Sequence, residues 1–69
     1  MAINIYHTYT THVDIIFYAD NGVRMRTNDC GMMDDIAVQV CEVLVKHNFT
    51  HADICSAETG EVLMIIERT

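Results

Sequence analysis

Histidine and cysteine are the side chains in this 69-residue chain that could bind a transition metal, and the chain has four and three of them respectively. Structural zinc sites are built from pairs of such ligands separated by short spacers. His47 and His51 have the spacing of two ligands on one continuous helix, but Asn48 and Phe49 favour a helix end between them. The cysteines form no C-x-x-C pair. The sequence therefore predicts reduced thiols, no metal ion and no cofactor.

Catalysis by a nucleophile or by paired acids would require a thiol beside a base, or two carboxylates directed at one site. Cys30 precedes a predicted helix, whose dipole would favour a thiolate, but Asp29 beside it opposes ionisation and no histidine is assigned to it. Asp34 and Asp35 diverge by about 100° around a helix, so they do not face one site. The sequence predicts that the protein is not an enzyme.

Residues 31–47 form the most periodic stretch of the chain and are predicted to be an amphipathic helix. Its buried face is predicted from residues that recur at spacings of three and four: Met33, Ile36, Ala37, Val40, Leu44 and His47. We expect Asn28 or Asp29 to cap the start of this helix, and Asn48 to end it in a left-handed conformation.

Alternation of apolar and polar side chains predicts five strands, over residues 2–9, 12–19, 23–27, 52–56 and 61–67. With the helix between the third and fourth strands, the predicted fold is a single α+β domain over residues 1–69. Its order is β-β-β-α-β-β, with one helix on one face of an antiparallel or mixed sheet.

The turn chemistry at residues 20–22 decides the register of the hairpin between the second and third predicted strands. A three-residue loop with Gly22 in the left-handed position pairs Ala19 with Val23 and Phe17 with Met25. We prefer this loop because it collects the apolar residues on one face, whereas a slip by one residue would invert that face.

The last two predicted strands have similar turn chemistry around Gly60. The equivalent loop pairs Ile54 with Met64 and Cys55 with Leu63. The side chains predicted to face the helix are then Ala52, Ile54, Val62, Met64 and Ile66.

The second face of the predicted sheet has no helix to cover it, yet it is not the polar face that water would favour. It is predicted to carry Tyr6, Asp14, Ile16, Tyr18, Arg24, Arg26, Asp53, Cys55, Leu63 and Ile65. Tyrosine and arginine are enriched at binding hot spots. We therefore predict a protein interface there, either with another copy of the chain or with a foreign partner.

Arg24 and Arg26 could contact acidic ligands, pair with Asp14 and Asp53, or only improve solubility. On the helix flank, Val38, Cys41 and Val45 either widen the buried face or meet another helix.

The charge of the chain is −6, from ten acidic residues against four Lys and Arg. This balance argues against direct contact with nucleic acid, and it suits solubility, association with a basic protein surface or imitation of nucleic acid. The predicted acidic surface consists of Asp20, Asp34, Asp35, Glu42, Glu58 and Glu61. No apolar run reaches the roughly 20 residues that span a membrane, and residues 1–11 do not resemble a signal peptide. We expect a cytoplasmic protein with no membrane partner.

Small size, acidity and an apolar second face are typical of phage or mobile-element accessory proteins, including anti-CRISPR and anti-restriction inhibitors. The predicted function is that of a non-enzymatic protein-binding module. It would block a basic, nucleic-acid-handling surface of a host protein complex, in the cytoplasm of the host cell. The alternative is a structural or regulatory subunit that forms homo-oligomers, such as a dimer, through its second sheet face.

Overall fold

The computed structural model describes residues 11–68, which contain four strands and one helix in the order β-β-α-β-β. These elements are β1 (Thr11–Ala19), β2 (Gly22–Gly31), α1 (Met33–Lys46), β3 (His51–Ser56) and β4 (Val62–Glu67). The sheet order is β2-β1-β3-β4, and each neighbouring pair is antiparallel. The predicted α+β fold, with one helix against an antiparallel sheet, is confirmed. The strand predicted over residues 2–9 lies outside the described residues.

The core lies between α1 and one face of the sheet. The helix contributes Met33, Ile36, Val40 and Leu44, which are buried as their spacing predicts. The sheet contributes the other buried members of the cluster: Val13, Ile15, Phe17, Ala52 and Ile54. Because successive strand residues point to opposite faces, the alternation in β1 and β3 fixes which face the helix covers.

Both ends of α1 show how neighbouring structure competes with local sequence preference. Contrary to the prediction, neither Asn28 nor Asp29 caps the helix. Both belong to β2, which pairs along the whole of β1. Met32 precedes the helix without a side-chain cap. At the other end Asn48 has the predicted left-handed conformation, with φ of 57°. The burial predicted for His47 is wrong, since its side chain is exposed.

Phe49 takes the place in the core that was predicted for the last residue of the helical stripe. It packs against the buried cluster, and its ring centroid lies 5.5 Å from that of Phe17. The left-handed turn at Asn48 reverses the chain and brings Phe49 back over the sheet. The chain then enters β3 through Thr50, whose N–H donates to the Tyr18 carbonyl over 2.8 Å.

The first hairpin agrees with the prediction in its centre and differs near its turn. Phe17 pairs with Met25 as predicted, but Ala19 pairs with Gly22 rather than Val23. The extra residue is Arg24, which lies in a bulge between the two parts of the ladder. Gly22 keeps the expected positive φ, 110°. β2 extends four residues beyond the predicted end at residue 27 because β1 offers it partners as far as Thr11.

The second hairpin has the same kind of difference. Ile54 pairs with Met64 as predicted, but a bulge at Leu63 places Cys55 opposite Val62. Val62 therefore shares a face with Cys55 and does not face the helix, contrary to the prediction. Met64 and Ile66 remain on the helix side, where Ile66 packs against the core.

Candidate functional site

The sheet face opposite α1 is called here the open face, because no helix or strand within residues 11–68 covers it. The pairings place its side chains in rows across the strands: Asn28, Asp14, Cys55 and Val62; Arg26, Ile16, Asp53 and Ile65; and Val23, Tyr18, His51 and Glu67. Of the predicted second face, the structure brings together Asp14, Ile16, Tyr18, Arg26, Asp53, Cys55 and Ile65.

Three predicted members of this face have a different status. Tyr6 lies outside the described residues. Arg24 and Leu63 are the extra residues of the two bulges, so neither has a partner in the neighbouring strand. Bulges displace side chains from the regular alternation, which is why a strict period of two placed both residues on this face.

Tyr18 is the best-anchored side chain of the open face. Its hydroxyl donates a hydrogen bond to the Asp53 carboxylate over 3.1 Å. Its ring stacks on that of His51, with centroids 4.4 Å apart and planes 6° from parallel. The His51 ring is held in turn by the Thr50 hydroxyl, which lies 3.0 Å from Nδ1. These contacts hold the tyrosine ring in one orientation, and an aromatic ring that is already fixed loses little conformational entropy when it enters an interface.

The electrostatics of this cluster favour hydrogen bonding over ionisation. The hydrogen bond to Asp53 raises the pKa of Tyr18 above its usual 10.0, and desolvation and the negative charge of Asp53 act in the same direction. The charge of Arg26 opposes them. Burial raises the pKa of the Cys55 thiol, with smaller contributions from Asp53 and Asp14. Both groups therefore stay protonated near neutral pH, where neither is an activated nucleophile.

A shallow depression of about 440 Å³ lies on the open face beside the Tyr18 cluster. Its lining includes Asp14, Ile16, Arg26, Asn28 and Cys55. The Asn28 side-chain amide donates to the Asp14 carboxylate over 3.4 Å, which leaves the carboxylate with further acceptor capacity. The depression therefore combines the apolar side chain of Ile16 with the Asp14 carboxylate, which can accept further hydrogen bonds, and with the cationic side chain of Arg26.

Cys30 lies in β2 and not at the start of the helix, so the predicted effect of the helix dipole on its thiol does not apply. The pairing of His12 with Cys30 brings Nε2 of the histidine to 3.5 Å from the thiol sulfur. A histidine partner, which the sequence did not assign, is therefore present. Both side chains are exposed, and within residues 11–68 no other side chain hydrogen bonds to the His12 ring. The described residues thus offer the pair no third, orienting group of the kind that completes a catalytic triad.

Metal binding has no support in the described part of the chain. Among residues 11–68, no three His, Cys, Asp or Glu side chains form a group that could hold an ion. The helix ends at Lys46 and β3 begins at His51, so His47 and His51 do not share a helix, as predicted.

The charged residues divide between the two ends of the sheet. The start of α1 and the β3–β4 loop lie at the same end, because Thr11 pairs with Gly31 and Ser56 pairs with Val13. Four members of the predicted acidic surface gather there: Asp34, Asp35, Glu58 and Glu61. This group is called the acidic end. Asp20 occupies the turn at the opposite end, and Glu42 lies on the exposed side of α1.

The end opposite the acidic end carries most of the positive charge. Lys46 is in the last turn of α1, Arg68 follows β4, and Arg24 is close to the first turn. The Arg68 guanidinium donates to the side-chain carbonyl of Asn48. The remaining Lys or Arg side chain, Arg26, is midway along the edge strand β2, beside Ile16. The molecule is therefore electrostatically polar along its strands as well as acidic overall.

Comparisons of the chain with protein families, with curated proteins and with solved structures find no match. The described residues contain no helix of the length and apolar character needed to cross a membrane; α1 has 14 residues.

Among the open-face residues that the sequence analysis did not place on that face, His51 and Asn28 were missed for the same reason. His51 and Asn28 each lie just beyond the predicted end of a strand, at residue 52 and residue 27 respectively. Extending the alternation outward from Asp53 would have placed His51 on the face of Asp53. Their contacts with Tyr18 and Asp14 join residues that are far apart in sequence, and no local pattern reports them.

Proposed function

We propose that this protein is a non-enzymatic binding module that attaches to another protein through its open face. The observation that carries the proposal is the Tyr18 cluster. A tyrosine held by Asp53 and His51 lies beside Ile16, on a face that no element within residues 11–68 covers. Preoriented aromatic side chains next to apolar ones are the usual composition of an interface hot spot.

The chemistry of the open face favours a partner with basic side chains. The Asp14 carboxylate borders the depression beside Ile16, and Asp53 lies in the adjacent row. A lysine or arginine of the partner could enter the depression and meet the Asp14 carboxylate, while its apolar stem covers Ile16. Arg26 on the same face would repel a cation at its own position, so the basic contact is expected on the Asp14 side.

The acidic end adds attraction at longer range. The charge of −6 would accelerate encounter with a basic surface, and the gathering of four acids at one end would orient the approach. Basic protein surfaces of this kind commonly handle nucleic acid. The proposed mechanism is therefore steric blocking of a basic, nucleic-acid-handling surface of a host protein complex, as expected for a phage or mobile-element inhibitor of the anti-CRISPR or anti-restriction type.

The experiment measures binding of the purified chain to immobilised nucleic-acid-handling complexes at low and high salt. We expect Tyr18→Ala to weaken capture by roughly 30-fold, the effect of losing a hot spot of about 2 kcal/mol. Gln39→Ala is the matched control, because Gln39 is exposed on the helix, away from the open face. Equal capture by Tyr18→Ala and wild type would refute the role of the open face.

The electrostatic part of the proposal has a separate test. Glu58→Gln and Glu61→Gln remove two charges from the acidic end, and we expect them to slow association and to flatten its dependence on salt. Asp20→Asn removes a charge from the opposite end and serves as the control. Capture that is insensitive to salt would refute this part and leave the role of the open face standing.

A homo-oligomeric subunit that uses the open face for self-association is the second candidate. The exposed Ile65 side chain on that face is the observation that favours it. In that case Ile16→Lys should yield monomers, and a wild-type protein that remains monomeric at high concentration would exclude this candidate.

A further inference from the structure

Within residues 11–68, the outer edge of β4 is free of a neighbouring strand and carries little protection against pairing. β4 pairs with β3 on one side, and on its other side residues 11–68 provide no neighbouring strand. Edge strands are usually protected by charges, bulges or covering elements. β2, at the opposite edge, carries Arg24, Arg26 and Asp29. In β4 the three residues 64–66 that follow the bulge are all apolar, and Ile65 is 57% exposed.

The backbone of β4 is directed so that this edge can pair with a strand. The Arg68 N–H donates to the Thr50 carbonyl over 3.0 Å, so Arg68 directs its backbone groups towards the β3 side. Because these directions alternate along a strand, Ile65 directs its N–H and C=O groups towards the free edge. A strand that pairs there in antiparallel orientation would bond to both groups.

The helix adds a second apolar surface on the same side of the molecule. Val38, Cys41 and Val45 follow one line along α1, and Val45 is 69% exposed. A groove of about 220 Å³ joins this line to the strand, since Cys41 and Val45 line it together with Ile66. The free edge of β4 and this helix flank are therefore continuous, and together they are called the β4 edge surface.

We propose that the β4 edge surface binds a second copy of this chain, so that two sheets join into one of eight strands across a two-fold axis. The edge is self-complementary. With Ile65 opposite its own counterpart, the two strands can exchange a pair of backbone hydrogen bonds at the axis. Met64 of each copy then lies opposite Ile66 of the other on the helix side. The exposed helix flanks approach each other above these pairs.

Charge complementarity supports a second copy as the occupant. An antiparallel arrangement places the acidic end of one copy beside the opposite end of the other copy, which carries Lys46 and Arg68. In the register centred on Ile65, Arg68 of one copy lies next to the start of β4 in the second copy, close to Glu61. A parallel arrangement would bring the acidic ends together. The two-fold dimer thus relieves part of the repulsion between two chains of charge −6.

The proposal is independent of the binding function assigned to the open face, because joining two β4 edges leaves both open faces uncovered. The dimer would present two open faces on one continuous sheet. A partner with two or more basic sites could then be bound at both positions, with an avidity beyond that of either face.

Light scattering over a concentration series tests the dimer. The wild type is expected at twice the monomer mass of 7.9 kDa. Val45→Lys and Met64→Lys should each raise the dimer dissociation constant by roughly 30-fold or more, the scale of a lost hot spot. Val23→Lys, at a 47% exposed position on the opposite edge, is the matched control and should remain dimeric. Each lysine lowers the net negative charge, so overall repulsion cannot explain a loss of association.

Amide hydrogen exchange supplies a measurement that needs no substitution. The Ile65 N–H should exchange slowly in concentrated wild-type protein and rapidly after dilution or in Val45→Lys. A wild-type chain that stays at 7.9 kDa at its highest soluble concentration would overturn the proposal. So would a dimer that Val23→Lys or Ile16→Lys disrupts and that Val45→Lys leaves intact, because the contact would then lie on the β2 edge or the open face.

Discussion

Ile15 and Ile16 are consecutive residues of β1 whose side chains lie on opposite faces, so the same substitution at both positions compares the two faces directly. Ile15 is 3% exposed in the core beneath α1, whereas Ile16 is half-buried on the open face. Replacing isoleucine by valine removes one methylene and keeps the branched Cβ that strands favour. The change in strand propensity is therefore the same in both variants and cancels in the comparison.

The expected magnitudes follow from burial. A methylene buried in a closed core contributes about 0.8 kcal/mol of transfer free energy, and the cavity left behind brings the usual cost of Ile→Val to about 0.5–1.5 kcal/mol. We expect Ile15→Val to lower the free energy of unfolding by about 1 kcal/mol. At Ile16 the space opens to solvent and no cavity forms, so the expected loss is about 0.3 kcal/mol or less.

Urea unfolding followed by circular dichroism measures both losses, at a protein concentration low enough to keep the chain monomeric. With a slope of about 1 kcal/mol per molar urea, Ile15→Val should lower the midpoint by about 1 M. Its melting temperature should fall by about 4–8 °C, while Ile16→Val changes little. A loss at Ile16 as large as that at Ile15 would refute the assignment of the open face, and a larger one would mean that the register is inverted.

The remaining predictions concern titration and thiol chemistry. Asp53→Asn removes the charge that holds the proton on Tyr18, so the pKa of Tyr18 should fall towards 10.0. This pKa is measured from the absorbance of tyrosinate in an alkaline titration, after the titration curve of Tyr18→Phe has been subtracted. Because the pKa of Tyr18 is raised in the folded state, its hydrogen bond to Asp53 stabilises the fold fully below about pH 10. This stabilisation disappears as the pH rises through the folded-state pKa. Alkaline unfolding curves of Tyr18→Phe should lack this loss. A thiol reagent near neutral pH should modify Cys30 and Cys41 quickly and Cys55 slowly, since only Cys55 is buried with a raised pKa; mass spectrometry of partly modified protein would detect the opposite order.

Periodicity was sufficient to predict the helix and the covered face of the sheet. Val40 and Leu44 recur at helical spacing, and Ile15 and Phe17 recur at strand spacing, so burial of one side is the arrangement that removes these side chains from water. The central pairs of both hairpins were predicted correctly for the same reason. Pairing Phe17 with Met25 keeps both side chains on the core face, whichever residue near the turn is the extra one.

The positions of the bulges could not be predicted in this way. An extra residue at Arg24 or Leu63 leaves the central pairs intact, and the alternation of apolar residues therefore does not report where it lies. The start of the helix was missed for a related reason. Asn28 and Asp29 are good capping residues locally, but β1 offers them pairing partners, and a ladder along a central strand outweighs a single cap.

The position of β1 in the sheet also has a consequence for folding. β1 pairs with β2 and β3 pairs with β4 through short turns, but β1 meets β3 only after the chain has passed through β2 and α1. The two hairpins can form early, whereas the central pair must close a loop of more than thirty residues and is expected to form late. Tyr18 comes from β1, and His51 and Asp53 come from β3. The Tyr18 cluster is therefore absent from any partly folded chain in which the hairpins have not yet docked, and the last step of folding would also be the step that completes the proposed binding site.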